Sequence, residues 1–280
     1  MPEDTNYKHY NSVRFNPQTS MLAILNWNDE SDANFVLARY FLSNFHKIPE
    51  MSIYQVADDC YMSRSSVQRF IKTIGFDTFT AFKESVKDVF QHQQSFLSYT
   101  DHTDFPEYLA GKVNDMINDI NAMAKQQKLR RIAERIHDCR NFYVANAEDS
   151  SSSARSFQQQ MLAMGKLVRL FTSANTEPEL LNSLSEDDFL LTVSASGNYA
   201  IAINNEIRQV RAYKGVVTLN HTTLFEETYD FIFYLSGTVT PSERSIQRNR
   251  NVFTRYGTSY FFDLLFHEYF VAYQNEIRPE

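Results

Sequence analysis

The sequence predicts two domains, an all-α bundle followed by an α/β domain with a five-stranded parallel sheet flanked by helices. In the first part of the chain, apolar residues recur at helical spacing only. From residue 141 onward, short apolar runs alternate with amphipathic stretches, as strands do with crossover helices in a parallel sheet. A polar stretch without this periodicity separates the two patterns. We therefore predict an N-terminal domain at 1–90, a linker at 91–105 and a C-terminal domain at 106–280.

The composition is that of a globular protein, because 43% of the 280 residues are hydrophobic and 14% are aromatic. A net charge of −7 argues against non-specific coating of nucleic acid, but a local basic patch still permits specific binding. Cys60 and Cys139 lack metal-ligand spacing and fit buried, reduced thiols. The polar N-terminus and the lack of a long apolar run predict no signal peptide and no membrane span. We expect a cytoplasmic protein without a metal ion or cofactor.

Four helices are predicted in the first domain, from the helical spacing of their apolar residues and from the residues that cap or end them. The first spans Asp32 to Phe45 and ends before a proline. Ser52 caps a second helix that reaches about Cys60, and Ser63 caps a third that stops at Gly75. The fourth runs from Thr78 to about Phe90. These helices form one compact unit.

The second and third helices are joined by a tight turn and have the form of a helix-turn-helix pair. The third helix has an apolar back and a basic front without acidic residues. Such a helix fits the DNA major groove, where Gln68 and Arg69 can contact adenine and guanine edges and Ser65 and Ser66 suit phosphates. An ordinary solvated helix face has the same pattern, and periodicity alone does not separate the two. The DNA-binding candidates are Ser63, Arg64, Ser65, Ser66, Gln68, Arg69 and Lys72.

The second domain begins with two predicted helices and continues with alternating strands and helices. The predicted helices lie at 106–124, 128–139, 152–164, 177–184, 199–213, 224–227 and 252–274. The predicted strands lie at 141–145, 166–171, 188–193, 215–219 and 229–235.

The turn after the third predicted strand is the second candidate site. The hydroxyls of Ser194 and Ser196, the flexible Gly197 and the following helix N-terminus form an anion cradle suited to a phosphate monoester. A plain strand-to-helix turn capped by Ser196 or Asn198 explains the same residues. The serines after the first strand can likewise grip a ligand or start a helix. The ligand-binding candidates are Ser150, Ser151, Ser194, Ser196, Gly197 and Asn198.

The sequence shows no catalytic constellation. His221 follows the fourth strand and Glu206 lies one helix away, but no second group pairs with the histidine. No metal-ligand spacing, nucleophile elbow or Walker pattern is present. We therefore do not expect an enzyme.

The two halves together resemble the RpiR-type bacterial transcription regulators. The N-terminal resemblance rests on MSIYQVADDCYMSRSSVQRFIKTIGF and the following FDTFTAFKESV. The second domain resembles the SIS (sugar isomerase) domain, a parallel five-stranded fold that binds phosphosugars. The resemblance implies a DNA operator and a sugar-phosphate effector as partners. It also implies that an S-x-S-G loop grips the phosphate, here Ser194, Ser196 and Gly197, with Asn198 where Thr or Glu is more usual.

The first loop departs from the family pattern. Asn146-Ala147-Glu148-Asp149-Ser150 stands where the family has a Gly-x-Gly-x-Ser turn, so both glycines are replaced. The sequence leaves open a regulator that senses a phosphosugar or related metabolite, and one whose SIS half only forms dimers. A sugar-phosphate isomerase is less favoured. We expect a homodimer or higher homo-oligomer, formed through the SIS half, that binds two DNA half-sites and no membrane.

Overall fold

The computed structural model describes residues 16–125, 127–146, 151–172, 178–237 and 251–277. The chain divides into two compact units, Met1–Leu97 and Ser98–Glu280. The first unit is helical, and the second is built on a five-stranded parallel sheet flanked by helices. The predicted fold class is therefore confirmed. Within the described ranges, no helix has the length and apolar character needed to cross a membrane.

The first unit contains the predicted helices and one that the sequence analysis missed. The missed helix, α1, begins at Pro17, and the side-chain oxygen of Asn16 caps it by accepting hydrogen bonds from the backbone amides of Gln18 and Thr19. Ser52 and Ser63 cap their helices as predicted. The helices are α1 Pro17–Trp27, α2 Ala33–Ser43, a 3-10 turn Phe45–Glu50, α3 Ile53–Asp59, α4 Arg64–Thr73 and α5 Phe79–Thr100.

A cluster of aromatic rings holds the first unit together. Phe41 of α2 stacks on Phe70 of α4 with ring centroids 5.7 Å apart, and it meets Phe82 of α5 edge-on at 5.2 Å. All three side chains are fully buried. Because Phe70 lies on one side of α4, this cluster determines which side of α4 faces solvent.

The prediction that residues 91–105 form an irregular linker is wrong in its secondary structure. Helix α5 continues to Thr100, and the next helix begins at Phe105, so only residues 101–104 lie between the two helices. Residues 91–105 are mostly polar but include neither proline nor glycine. Nothing in it interrupts a helix that has already formed.

The second unit begins with two helices and continues as strands alternating with helices. The predicted helix at 199–213 is instead two short helices that meet at Ile203, and the strand after it begins at Tyr213. Two asparagines at 204 and 205 have low helix propensity and mark the break. The elements are α6 Phe105–Ala124, α7 Lys128–Asp138, β1 Phe142–Asn146, α8 Ser151–Ala163, β2 Val168–Thr172, α9 Pro178–Asn182, β3 Phe189–Val193, α10 Asn198–Ala202, α11 Asn204–Gln209, β4 Tyr213–Thr218, α12 Thr223–Thr228, β5 Phe231–Tyr234, a π-turn Phe253–Gly257 and α13 Thr258–Ile277.

The sheet has the strand order β2-β1-β3-β4-β5 with all neighbours parallel. Strand β3 is buried along its whole length, as a parallel strand covered on both faces should be. Leu191 and Val193 belong to the core with α6, α7, α8 and α13, and Leu190 belongs to the core with α10, α11 and α12. In this order, β2 lies on one side of β1 and β3 lies on the other side. The topological switch point therefore lies between the carboxyl ends of β1 and β3.

Gly215 of β4 lies under an aromatic ring and allows a test of the sheet packing. A Cβ at this position would lie 2.1 Å from Cζ of Phe231 on β5. We expect Gly215→Ala to lower the free energy of unfolding by about 1–3 kcal/mol, because the ring must leave its place against the sheet. Urea unfolding of the whole chain, followed by circular dichroism, measures this change.

Gly111 supplies the matched control for this prediction. It lies exposed in α6, and a Cβ there would meet nothing within 4 Å. Gly111→Ala should leave stability unchanged or raise it by up to about 1 kcal/mol, because alanine favours the helix. Equal losses in the two variants would contradict the packing argument.

Candidate functional site

Helix α4 is fixed in place by its N-terminal cap and by its apolar side. The Ser63 hydroxyl accepts a hydrogen bond from the Ser66 backbone amide at 3.1 Å, which starts the helix. Val67, Phe70 and Ile71 are fully buried. The opposite side of α4 must therefore face solvent.

The solvent side of α4 is positively charged. Arg64, Ser65, Arg69 and Lys72 are exposed, and α4 contains three basic residues and no acidic one. Ser66 is half-buried, and its hydroxyl lies 3.5 Å from Arg69 Nη2. This face can supply cations and hydrogen-bond donors to a polyanion.

Gln68 is engaged within the folded unit. Its side-chain amide donates a hydrogen bond of 2.9 Å to the backbone carbonyl of Asp77, which follows the helix. Adenine recognition by Gln68 would require that this bond be exchanged for one to the base. Gln68 and the capping Ser63 thus hold the helix in place, and their contact with DNA stays a prediction.

The basic face has an aromatic partner that was not among the predicted site residues. The guanidinium of Arg64 lies over the ring of Tyr54, with 4.7 Å between Cζ and the ring centroid. Tyr54 belongs to α3 and is 60% exposed, so the ring contributes little to the core. The sequence feature that could have indicated this contact is an aromatic residue on the polar side of α3. The stack limits the range of positions open to Arg64 at the N-terminal end of α4.

The predicted ligand loop after β3 is a hydrogen-bonded turn. The Ser194 hydroxyl accepts a bond from the Ala200 amide at 3.3 Å, and the Ser196 hydroxyl accepts one from the Asn198 amide at 3.4 Å. Ser194 is 2% exposed, whereas Ser196 and Asn198 are half-buried. Among the predicted ligand residues of this loop, Ser196 and Asn198 therefore offer the side chains that a ligand can reach.

Gly197 is required by both backbone geometry and packing. Its φ of +81° lies in the left-handed region, and a Cβ would lie only 2.5 Å from Cβ of Asn220. Asn220 follows β4 and donates its backbone amide to the Thr218 hydroxyl at 3.0 Å. Close contact at Gly197 thus joins the loops that follow β3 and β4.

The helix expected to contribute its dipole at this loop is short. Helix α10 has five residues, so it adds only a small part of the dipole predicted from a long helix. Of the remaining candidates, Ser151 is the first residue of α8, and Ser150 lies outside the described residues.

His221 lies at the same carboxyl edge of the sheet, after β4. Its ring stacks on Tyr234 of β5 at 3.8 Å, and its Nε2 lies 3.2 Å from the Ser236 carbonyl oxygen. Asn146 ends β1 at this edge and is fully buried. The edge thus combines a half-buried imidazole with amide and hydroxyl groups, which suits a polar ligand.

A family comparison identifies the N-terminal unit. The model of the helix-turn-helix domain of the rpiR family matches residues 23–93, a range that includes α3, the turn and α4. Residues 23–93 are an rpiR-family helix-turn-helix domain. The resemblance predicted from the sequence is confirmed over this part of the chain.

Several solved structures are similar to the chain at low identity. The Vibrio vulnificus NanR protein complexed with ManNAc-6P is 18% identical, with 91% of this chain and 93% of that chain covered and a TM-score of 0.45. The sugar isomerase domain of an RpiR transcription factor from Sphaerobacter thermophilus is 16% identical, covering 59% and 90%, with a TM-score of 0.43. A Methanococcus jannaschii protein inferred to be a 3-hexulose-6-phosphate isomerase is 15% identical, covering 61% and 97%, with a TM-score of 0.45. No curated protein sequence matches the chain significantly.

A cleft of about 260 Å³ lies at the opposite, amino edge of the sheet from the predicted ligand loop. Burial raises the pKa of its Asp188 carboxyl, but hydrogen bonds from Ser185 and Asn141 outweigh this effect and hold the pKa below its usual value. These bonds tie together the segments that lead into β1 and β3, so we assign Asp188 a structural role. The cleft is lined by Arg135, Asp138, Cys139, Arg140, Glu186, Asp187 and Asp188.

The packing of the loop at Gly197 is testable by comparison with a second glycine. We expect Gly197→Ala to destabilise the protein by roughly 1–3 kcal/mol more than Gly165→Ala does. Both glycines have positive φ, but a Cβ at Gly165 would meet nothing within 4 Å. The difference in urea unfolding free energy therefore isolates the clash with Asn220. Equal losses would show that backbone conformation alone requires glycine here.

Proposed function

We propose that this protein is a sequence-specific DNA-binding transcription regulator whose α/β unit senses a small polar metabolite of the phosphosugar class. The observation that carries the proposal is the exposed basic face of α4 within the rpiR-family domain. Such a regulator acts in the cytoplasm, where it meets its operator.

The shape and charge of α4 support the DNA half of the proposal. The helix buries its apolar side on the aromatic cluster and presents Arg64, Arg69 and Lys72 together. An exposed arginine can form two parallel hydrogen bonds to a guanine edge, and lysine suits phosphate. Three cations on one short helix give modest affinity, so two copies bound to two half-sites fit the proposal best. The protein would act as a homodimer or higher homo-oligomer.

The sheet topology supports the sensing half. In open α/β sheets, ligands bind outside the carboxyl ends of the strands at a switch point, here between β1 and β3. The Ser194–Asn198 loop follows β3 at this point and presents Ser196 and Asn198 at the surface. A phosphate or sugar hydroxyl can bond to these groups. Effector binding would then shift the balance between two arrangements of the DNA-binding units, through its different affinity for each.

The first prediction of this proposal concerns DNA recognition by Arg69. Arg69→Ala should weaken binding to a selected operator by about 1–3 kcal/mol, because a buried guanine contact is lost. The operator is the tightest duplex that the wild-type chain selects from a random-sequence library. Fluorescence anisotropy at fixed salt concentration measures the dissociation constant.

Arg39→Ala is the matched control for this measurement. Arg39 is also exposed, but it lies on α2 with its guanidinium over the Phe35 ring, 5.6 Å from the centroid. Its loss removes the same charge from the same unit without altering α4. Equal weakening by the two variants would indicate a general charge effect, and unchanged affinity in Arg69→Ala would remove Arg69 from the base-contacting role.

The second prediction concerns the effector. A thermal-shift screen with sugar phosphates and amino sugars, including N-acetylmannosamine 6-phosphate, should yield a compound that raises the melting temperature, because a ligand stabilises the folded state by mass action. Ser196→Ala should abolish that shift and leave operator affinity intact. Ser183→Ala should retain both the thermal shift and the operator affinity. The exposed Ser183 precedes β3 and therefore lies at the amino edge of the sheet, opposite the Ser194–Asn198 loop.

The outcomes of the screen separate the alternative functions. A Ser196→Ala protein that responds like wild type would exclude this loop as the sensor. No stabilising compound would favour an α/β unit that only forms dimers. Turnover of an aldose or ketose phosphate by the purified protein would favour an isomerase and contradict the proposal.

A further inference from the structure

Tyr61, in the turn between α3 and α4, occupies a position where glycine is preferred. Helix α3 ends in a Schellman motif, in which the Met62 amide bonds to the Ala57 carbonyl at 2.8 Å and the Tyr61 amide bonds to the Asp58 carbonyl at 3.2 Å. This geometry places Tyr61 in the left-handed region with φ of +54°. A bulky side chain is disfavoured there, because its Cβ crowds the backbone.

Two other helices of the chain end in the same motif but use glycine. After α4, Gly75 has φ of +95° and the Phe76 amide bonds to the Ile71 carbonyl. After α8, Gly165 has φ of +71° and the Lys166 amide bonds to the Met161 carbonyl. The turn between α3 and α4 therefore needs no tyrosine to form.

Packing within the unit does not compensate for the strain at Tyr61. Its side chain is 98% exposed, so the ring gains almost no contact with the rest of the unit. A strained residue that does not serve folding points to a role in binding. Tyr61 lies three residues before Arg64, the first residue of α4, whose guanidinium is stacked on the exposed Tyr54.

We infer that Tyr61 contacts the sugar-phosphate backbone of the DNA duplex to which α4 binds. This inference rests on the proposed function and extends it to the turn. A phenol is a neutral donor, and tyrosine hydroxyls are among the side-chain groups that bond to phosphate oxygens. The carboxylates of Asp58 and Asp59 precede the turn and repel a phosphate at close range. A long uncharged side chain that extends into solvent reaches a phosphate beyond them.

Glycine at position 61 separates folding from binding, because it should change the two in opposite directions. Tyr61→Gly should bind the selected operator and an unrelated duplex about tenfold more weakly, since a phosphate contact carries no base information. It should also resist urea better than wild type, because the strain is relieved. Hydrogen exchange of peptides from residues 16–97 in urea follows the stability of this unit within the whole chain.

Three further variants complete the test. Tyr61→Phe keeps the ring and the strain but loses the donor, so it should show most of the loss in affinity and no gain in stability. Arg64→Ala should reduce the slope of log affinity against log salt concentration by about one, whereas the uncharged Tyr61 variants should leave it unchanged. Gln127→Gly is the matched control: Gln127 is exposed with φ of +58°, in the other unit, so it should gain stability there without a change in DNA affinity.

The inference is overturned if Tyr61→Gly binds DNA as tightly as wild type, or if it is less stable than wild type. A loss confined to the selected operator would indicate a base contact and would overturn the assignment to the backbone. If the wild-type chain selects no duplex, the proposed function and this inference fail together. Unchanged DNA binding by Tyr61→Gly overturns this inference alone.

Discussion

The N-terminal unit depends on the burial of one side of α4 against Phe41. A helix of ten residues is marginal by itself, so its stability comes from packing Val67, Phe70 and Ile71 into the aromatic core. The same packing turns Arg64, Arg69 and Lys72 outward together. The interaction that stabilises the helix therefore also creates its exposed basic face. A change that rotated α4 about its axis would alter both the stability of the unit and the position of this basic face.

In the α/β unit, the pairing of β1 with β3 has the corresponding role. Because β2 lies on one side of β1 and β3 lies on the other, the topological switch point lies between β1 and β3. The β3 loop is held by its own hydrogen bonds and by the close approach of Asn220 to Gly197. These contacts bury Ser194 and leave Ser196 half-buried. Most of the serine-rich loop thus supports the turn, and only the side chains of Ser196 and Asn198 stay partly exposed among its predicted ligand residues.

Local sequence rules predicted local structure well where a cap or a turn is involved. Ser52, Ser63 and Gly75 mark helix ends in the structure as they do in the sequence, because capping depends only on residues a few positions apart. The expectation that residues 91–105 lack helical structure was wrong because polarity shows that a stretch can be exposed but does not show that it is irregular. The break at Ile203 was missed because the apolar residues on either side of it keep a helical spacing.

The sequence by itself determined the two-part architecture, the parallel sheet and the basic face of α4, because these depend on the period of apolar residues and on charges along one helix. Only the tertiary structure decided which candidate side chains are accessible. The bond from Gln68 to Asp77 and the stack of Arg64 on Tyr54 join residues nine and ten positions apart in the sequence. The contact of Gly197 with Asn220 joins the loop after β3 to the loop after β4. Such contacts depend on how separate elements meet in space, and no periodicity in the sequence records that geometry.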